Sequence, residues 1–418
     1  MSRKENTARM ETENKNRLSA DIMTFHFPYN CGAVLQCYAL QTVLEKKGCR
    51  VQVIDYVPWY HVNRYVPFKN PVAFADEWSA HVPQRQKRVK WVKGLIRGFI
   101  SYRHFPRKLQ KQKAWRSFAN RHLHLTDRYR TVAQLVQNPP QADLYIAGSD
   151  QLWNIRITDG FDEAYFLHFG DERSRRITYA VGADFAQPQD DEAVQELENV
   201  EVRLPELLSG IDAISLRETK CWDAVKAAAK PETPMCVCVD PTLLLPREAY
   251  ETIEAEPKNA PTRFILTYIM PNVSGRAVIA EAERLSEKLG IPVVDVNGNP
   301  LAMNRRVKDH RICSPSEFLW YIHHADYVLT NSFHGTVFSV IYEKQFAAVP
   351  HSKFGNRISE LLDKLGLSEQ LAKMDEVILT EENSKNIFGS KAAEAMIEQP
   401  ICFEGVREAL SLLRAKSL

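Results

Sequence analysis

The feature that most constrains this chain is an alternation of strand, glycine turn, helix and strand close to its start. Asp21–Phe27 (DIMTFHF) reads as a strand. Gly32–Leu44 follows, with Val34, Leu35, Tyr38, Ala39 and Val43 at helical spacing, and Gly48 punctuates it before a second strand at Val51–Tyr56. A strand–helix–strand unit joins parallel strands, and a parallel sheet needs helices on its faces. The alternation resumes near residue 140. Strands are expected at Leu144–Ala147, Ile177–Val181, Ala213–Leu216 and Val237–Val239, with helices at 191–209, Thr219–Ala229 and Arg247–Ala255. After the polar joint Glu254–Thr262 (EAEPKNAPT), a second run begins at Arg263 and ends in an amphipathic helix, Glu404–Ala415. A chain of 418 residues fits two domains. The expected fold class is therefore α/β, with two Rossmann-like domains facing a central cleft. Residues 20–258 form the first domain and 259–418 the second, with the last helix placed to pack back on the first. The polar, charged residues 1–19 are expected to be a disordered start.

Residues 59–135 break the pattern and read as a helical insertion in the first domain. Between Arg85 and Arg121 there are thirteen Lys and Arg and no Asp or Glu, while Val89, Val92, Ile96, Phe99 and Ile100 share one side of a helix. One reading packs that stripe on the first domain and leaves the charges solvated. The other docks it on an anionic membrane or an acidic glycolipid. A nucleic-acid partner is not expected, because no reader module accompanies the charge. Over the whole chain Lys plus Arg is 54 against 52 for Asp plus Glu, so any role for charge must be local. The start of the chain lacks the apolar run of a signal peptide, and no window has the ~18–20 apolar residues of a spanning helix. Eight scattered cysteines, none in a CxxC pair, fit a reducing compartment. A cytoplasmic location is expected, peripheral on the inner membrane face if the insertion docks there. No metal is expected; Cys236 and Cys238 are assigned to opposite faces of a strand.

Ligands of open parallel sheets bind beyond the carboxyl ends of the strands, so the residues that follow each strand are the candidates. Asn30, Gly32 and Gln36 start the first helix, where free N–H groups favour anions. Cys31 there lacks an evident base partner and is given no catalytic role. Gly148–Asn154 (GSDQLWN) reads as a strand-exit loop in which Ser149, Asp150, Gln151 and Asn154 offer a dense set of hydrogen-bonding groups. Asp150 suits a base, or an acceptor that orients a sugar hydroxyl. Arg217, after the next strand, offers a planar fork to a carboxylate or phosphate. Asp240 caps a turn with Pro241. Asn331, Ser332 and His334 lie between a strand end and a helix start, where an imidazole can donate a proton near neutral pH or hold a phosphate. Gly355, Asn356 and Arg357 place a guanidinium at another helix start. This set points to an anionic small molecule and a hydroxyl-rich partner, without the carboxylate cluster of a metal site or a dinucleotide fingerprint.

The segments NCGAVLQCYALQ, DLYIAGSDQLWN, AISLRE, VDPTLLL, VLTNSFHGTVFS and FGNRISELLDKLGL occur in this order between about residues 20 and 370. Together they resemble the polysaccharide pyruvyl transferase family. The resemblance implies a two-domain fold like the GT-B glycosyltransferases. It also implies transfer of a pyruvyl group from phosphoenolpyruvate, the donor substrate, to hydroxyls of a saccharide or lipid-linked saccharide of the cell surface, with release of phosphate and no cofactor. On that reading His334 and Asp150 are catalytic. Arg217, Arg357, Asn356, Gly355, Ser332 and Asn331 bind the donor, and Asn30, Gly32, Gln36, Ser149, Gln151 and Asn154 line acceptor or anion-binding loops. Many relatives have Arg-Leu-His where this chain has Ser332-Phe333-His334, so an arginine of the pattern is absent and Arg357 is its expected substitute. The alternatives are a GT-B glycosyltransferase using a nucleotide sugar and a non-catalytic glycan-binding relative.

Overall fold

The computed structural model describes residues 17–27, 30–58, 60, 70–79, 84–103, 105–158, 160–185, 200–270, 274–296, 309–349, 356–371, 401 and 403–417. The expected disordered start lies outside them up to residue 16, as does Gly355. The chain divides into two compact units: Met1–Val62 with Ala119–Leu245 and Leu412–Leu418, and Asn63–Phe118 with Pro246–Ser411.

Among the described residues of the first unit nine strands are formed: β1 (Ser19–Met23), β2 (Arg50–Tyr56), β3 (Leu125–Tyr129), β4 (Leu144–Ala147), β5 (Asp150–Asn154), β6 (Arg175–Thr178), β7 (Val181–Asp184), β8 (Ile214–Leu216) and β9 (Met235–Val237). They make a parallel sheet β3-β2-β1-β4-β6 and a second parallel sheet β5-β7-β8-β9. β1 is central and buried along its whole length, with Ile22 opposite Val53 and Ile146. The Cys31–Lys46 helix starts at Asn30, whose side chain accepts the Gly32 N–H at 3.0 Å. It stops at Gly48, whose φ of +90° is the left-handed conformation that glycine adopts without strain.

Gly148–Asn154 departs from expectation. It is not an exit loop but a kink followed by a strand. The chain leaves β4, turns through Gly148 and Ser149, and continues as β5; its neighbour leaves β6, turns through Tyr179 and Ala180, and continues as β7. Both kinks use the left-handed region, at Asp150 (φ 81°) and Ala180 (φ 50°). The two strands bend in step and pass from one sheet to the other, which also splits the single strand expected at Ile177–Val181.

Among its described residues the second unit has five parallel strands, β10 (Ile265–Tyr268), β11 (Val293–Asp295), β12 (Asp309–His310), β13 (Tyr327–Thr330) and β14 (Gln345–Ala348), in the order β12-β11-β10-β13-β14. Ile265, Leu329 and Ala347 pack against Val278, Ala282 and Leu285 of the Ser274–Leu289 helix. The Pro315–His324 helix opens with a capping box: Ser314 accepts the Glu317 N–H, and Glu317 accepts the Ser314 N–H. Residues 246–258, expected in the first domain, group with this unit. Tyr250 meets Phe338 edge-on at 5.0 Å, and Glu254 accepts the Tyr342 hydroxyl at 2.6 Å. Residues 63–118 also group here rather than with the first unit. Residues 412–418 group with the first unit, where Arg414 donates to the carbonyls of Leu243 and Leu245 at 2.5 and 3.0 Å.

The basic stretch is helical, at Pro71–Ser79, Gln84–Arg103 and Phe105–His122. The first two helices pack closely: a Cβ on Gly98 would lie 2.7 Å from Pro71 Cα, and Trp91 Nε1 donates to Asp76 Oδ1 at 2.8 Å. The apolar stripe is not packed away. Val89, Val92, Ile96 and Phe99 are 57%, 50%, 54% and 60% exposed. Among the described residues, no helix is long and apolar enough to cross a membrane.

Candidate functional site

β8 delivers Arg217 just beyond its end, 5% exposed. Its Nε donates to Glu218 Oε1 at 2.9 Å and its Nη1 to Asp240 Oδ2 at 2.9 Å, with a longer bond to Ser149 Oγ at 3.3 Å. Ser149 Oγ donates to the same Asp240 oxygen at 2.9 Å, and the other Asp240 oxygen accepts from Thr242 N and Oγ1. Gln151 donates to Glu218 at 3.4 Å and accepts from Asn154 at 2.9 Å. Ser149 O accepts from Thr24 Oγ1, which accepts from Gln36 Nε2. Gln36, Ser149, Gln151, Asn154 and Arg217, drawn from separate stretches of sequence, are thus one buried network. β7 presses on it at Gly182, where a Cβ would meet the Gln151 amide and lie 3.1 Å from Arg217 Nη2.

The charge balance of this network weighs against the reading of Arg217 as a donor-binding residue. Burial works against its charge, but Glu218, Asp240 and Asp150 outweigh burial and hold the guanidinium protonated. One cation faces three carboxylates, so an incoming carboxylate or phosphate would have to displace protein carboxylates. Asp150 is the half-buried member. Its Oδ1 accepts the Gln151 N–H at 2.9 Å, and its backbone is left-handed. Asn30 and Gly32 are engaged with each other in the helix cap.

In the second unit the sign is reversed. β13 ends at Thr330, whose hydroxyl donates to Tyr268 O and accepts the Ser332 N–H. Asn331 accepts the Met270 N–H at 2.6 Å and donates to Met270 O at 3.0 Å, which ties the ends of β13 and β10 together. Ser332 caps the Phe333–Ile341 helix by accepting the Gly335 N–H at 3.4 Å. Gly335 must lack a side chain, because its Cβ would collide with Thr330 Oγ1. His334 occupies the second helical position, 5% exposed, with its ring edge-on to Phe333 at 5.3 Å. The Arg357 guanidinium carbon lies 5.7 Å from the centre of the same Phe333 ring. His334 and Arg357 therefore each lie against the Phe333 ring, at the helix start that Ser332 caps, where a helix N-terminus and a guanidinium both favour an anion. Asn356 begins the Asn356–Lys364 helix that carries Arg357.

A family model described as Polysaccharide pyruvyl transferase matches residues 30–353. The chain belongs to the polysaccharide pyruvyl transferase family, a family of transferases. The match takes in the Arg217 network and the Ser332–His334 turn and stops before Asn356 and Arg357. No curated protein matches the chain. Among solved structures, S. aureus MnaA in its UDP co-structure aligns with a TM-score of 0.46 at 11% identity, over 96% of this chain and 91% of that one. Anabaena HepE in complex with UDP and glucose aligns with a TM-score of 0.45 at 10% identity, over 96% and 95%. At these scores the likeness decides neither fold nor activity.

Other polar clusters of this family member escaped the sequence reading. His26 bonds Asp55 through Nε2 at 2.9 Å, and Arg128 donates to the other Asp55 oxygen at 2.8 Å. Burial raises the Asp55 carboxyl, but its interactions with His26 and Arg128 bring it below its ordinary value. The Tyr56 and Tyr60 hydroxyls both donate to Asp162, whose carboxyl burial nonetheless pushes up. Among the described residues Glu254, His323 and His324 bring possible metal-ligand atoms within 4.8 Å of one another. However, His323 is already bonded to Glu254 through Nδ1 and to Arg247 through Nε2. A surface recess of about 750 Å³, lined by Arg173, Arg175, Arg176 and Lys230 among others, lies at the start of β6, away from the strand ends. Cys236 and Cys238 do not point apart: their sulfurs are 3.6 Å from each other. The reason is elementary, since residues two apart on a strand share a face. Burial and the neighbouring Cys236 sulfur push the Cys238 thiol up to about 11.

Proposed function

We propose that this chain transfers a pyruvyl group from phosphoenolpyruvate to hydroxyls of a saccharide, with the donor held in the second unit. What supports the reading is the family, together with one local arrangement: His334 in the first turn of a capped helix, beside a ring over which Arg357 lies. Phosphoenolpyruvate carries a carboxylate and a phosphate, and a guanidinium beside the positive end of a helix suits either. In the proposed reaction His334 gives a proton to the methylene carbon, which becomes a methyl group, and the central carbon gains cationic character. A sugar hydroxyl attacks that carbon and loses its proton. Phosphate leaves, and a second hydroxyl closes the ketal and loses its proton in turn. For Asp150 the proposal is narrower: its half-exposed carboxylate on a strained backbone suits a group that meets a hydroxyl. No cofactor enters this scheme.

The test is phosphate release from phosphoenolpyruvate with candidate saccharide acceptors. His334→Ala is expected to lose about 10²–10⁴-fold in turnover while keeping the circular dichroism of the parent. Undiminished turnover in that variant would remove His334 from the chemistry. Turnover with a nucleotide sugar and none with phosphoenolpyruvate would replace the reading with glycosyl transfer.

A further inference from the structure

The Gln84–Arg103 helix has two unlike long faces. One is taken up inside its own unit: Trp91 bonds Asp76, and Gly98 lies against Pro71. The other carries Val89, Val92, Ile96 and Phe99, each at least half exposed. At 3.6 residues per turn these four span a sector of about 80°, centred about 130° away from the Trp91–Gly98 face. They form an unbroken apolar stripe that the fold leaves in water. Arg88 and Lys93 are exposed on its two flanks, within a stretch from Arg85 to Arg121 that has no acidic residue at all.

We propose that this helix lies flat on an anionic lipid bilayer, with the stripe at the boundary between headgroups and acyl chains and the ring of Lys and Arg on the headgroup phosphates. The pairing of features selects this occupant. A nucleic acid would use the cations but leave the apolar stripe wet. A second copy of the chain would cover the stripe but bring its own cations against these. A bilayer containing anionic lipid meets both at once: apolar residues enter the interface, and basic residues are drawn to its negative surface. The proposal is independent of the reaction the chain catalyses.

Sedimentation of the full chain with vesicles tests it. Vesicles of phosphatidylcholine with phosphatidylglycerol are expected to carry the chain down, and phosphatidylcholine alone is not. Raising the salt should weaken the binding, because the attraction between surface charges is screened. The double variant Ile96→Asp, Phe99→Asp is expected to weaken it by about tenfold or more. Its melting temperature and circular dichroism should match the parent, since both side chains are exposed. Arg88→Glu with Lys93→Glu, which reverses the charge on both flanks of the stripe, should weaken it as well. Three results would overturn the proposal: no binding to either vesicle, equal binding by the Ile96→Asp, Phe99→Asp variant, or a self-association without vesicles that this variant abolishes.

Discussion

Asp21 sits in the middle of β1, beside Gln52 on one neighbouring strand and Tyr145 on the other. Burial pushes its carboxyl up to about 7, and the positive charge of Arg50 offsets this only in part. Below about pH 4 the group is protonated in both folded and unfolded chains. Between about pH 4 and about pH 7 the unfolded chain gives up this proton and the folded chain keeps it, so stability falls as pH rises through that window and levels off above it. Asp21→Asn, which imitates the protonated form, should remove this fall and melt higher than the parent at pH 8, by at most about 4 kcal/mol. Paired urea titrations at pH 5 and pH 8 check it; a parent and variant with the same pH dependence would contradict it. Arg217 behaves in the opposite way. Arg217→Met leaves Asp240 and Glu218 buried without their cation and should cost about 3–5 kcal/mol of stability, read as a lower urea midpoint. The sequence offered Arg217 and Arg357 as equals, each a guanidinium after a strand. What separates them is the company each keeps: Asp240 reaches Arg217 from beyond the next strand, and Phe333 reaches Arg357 from another helix. Neither pairing has a local signature in the chain.

At the level of elements, most strands and helices of both units were legible because parallel strands buried on both faces are continuous apolar runs, and because caps such as Ser314 and stops such as Gly48 have local chemistry; β3, inside the stretch read as a helical insertion, and the two-residue β12 were not. The in-step kink at Gly148–Ser149 and Tyr179–Ala180 was not legible, since an apolar run reads the same whether the strand is straight or bent. The polar residues of Gly148–Asn154 therefore looked like a loop, although they line the inside of a bend. The turn into the Phe333–Ile341 helix was legible in position but not in tolerance. A methyl group on Gly335 would strike the Thr330 hydroxyl, which bonds Tyr268 O and the Ser332 N–H and so holds the helix start on the sheet. Gly335→Ala should cost about 1–3 kcal/mol and lower turnover by shifting His334. Gly405→Ala, in a helix with open space around the site, should instead leave stability unchanged or raise it by up to about 1 kcal/mol. Equal effects of the two substitutions, measured by thermal melting, would contradict this account.

For the molecule as a whole, the opposite electrostatic signs of the two polar centres make the donor question a question of which centre responds to ligand. An anion that binds only the folded chain raises its stability by mass action, by about 2.7 kcal/mol at a hundredfold excess over the dissociation constant. Such a gain appears as a rise of several degrees in melting temperature. Phosphoenolpyruvate is expected to produce this rise in the parent and in Asp150→Asn. In Arg357→Ala the rise should be much reduced, because the guanidinium over Phe333 is gone while the Arg217 network is intact. Hydrogen exchange then locates the effect. Protection gained on adding phosphoenolpyruvate should concentrate in the backbone of Ser332–Gly335 and the first turn of Asn356–Lys364, and the amides of β5 and β8 should be unmoved. A rise in melting temperature that survives Arg357→Ala, with protection appearing at β5 or β8 instead, would return the donor to the carboxylate-rich centre and overturn its placement beside His334.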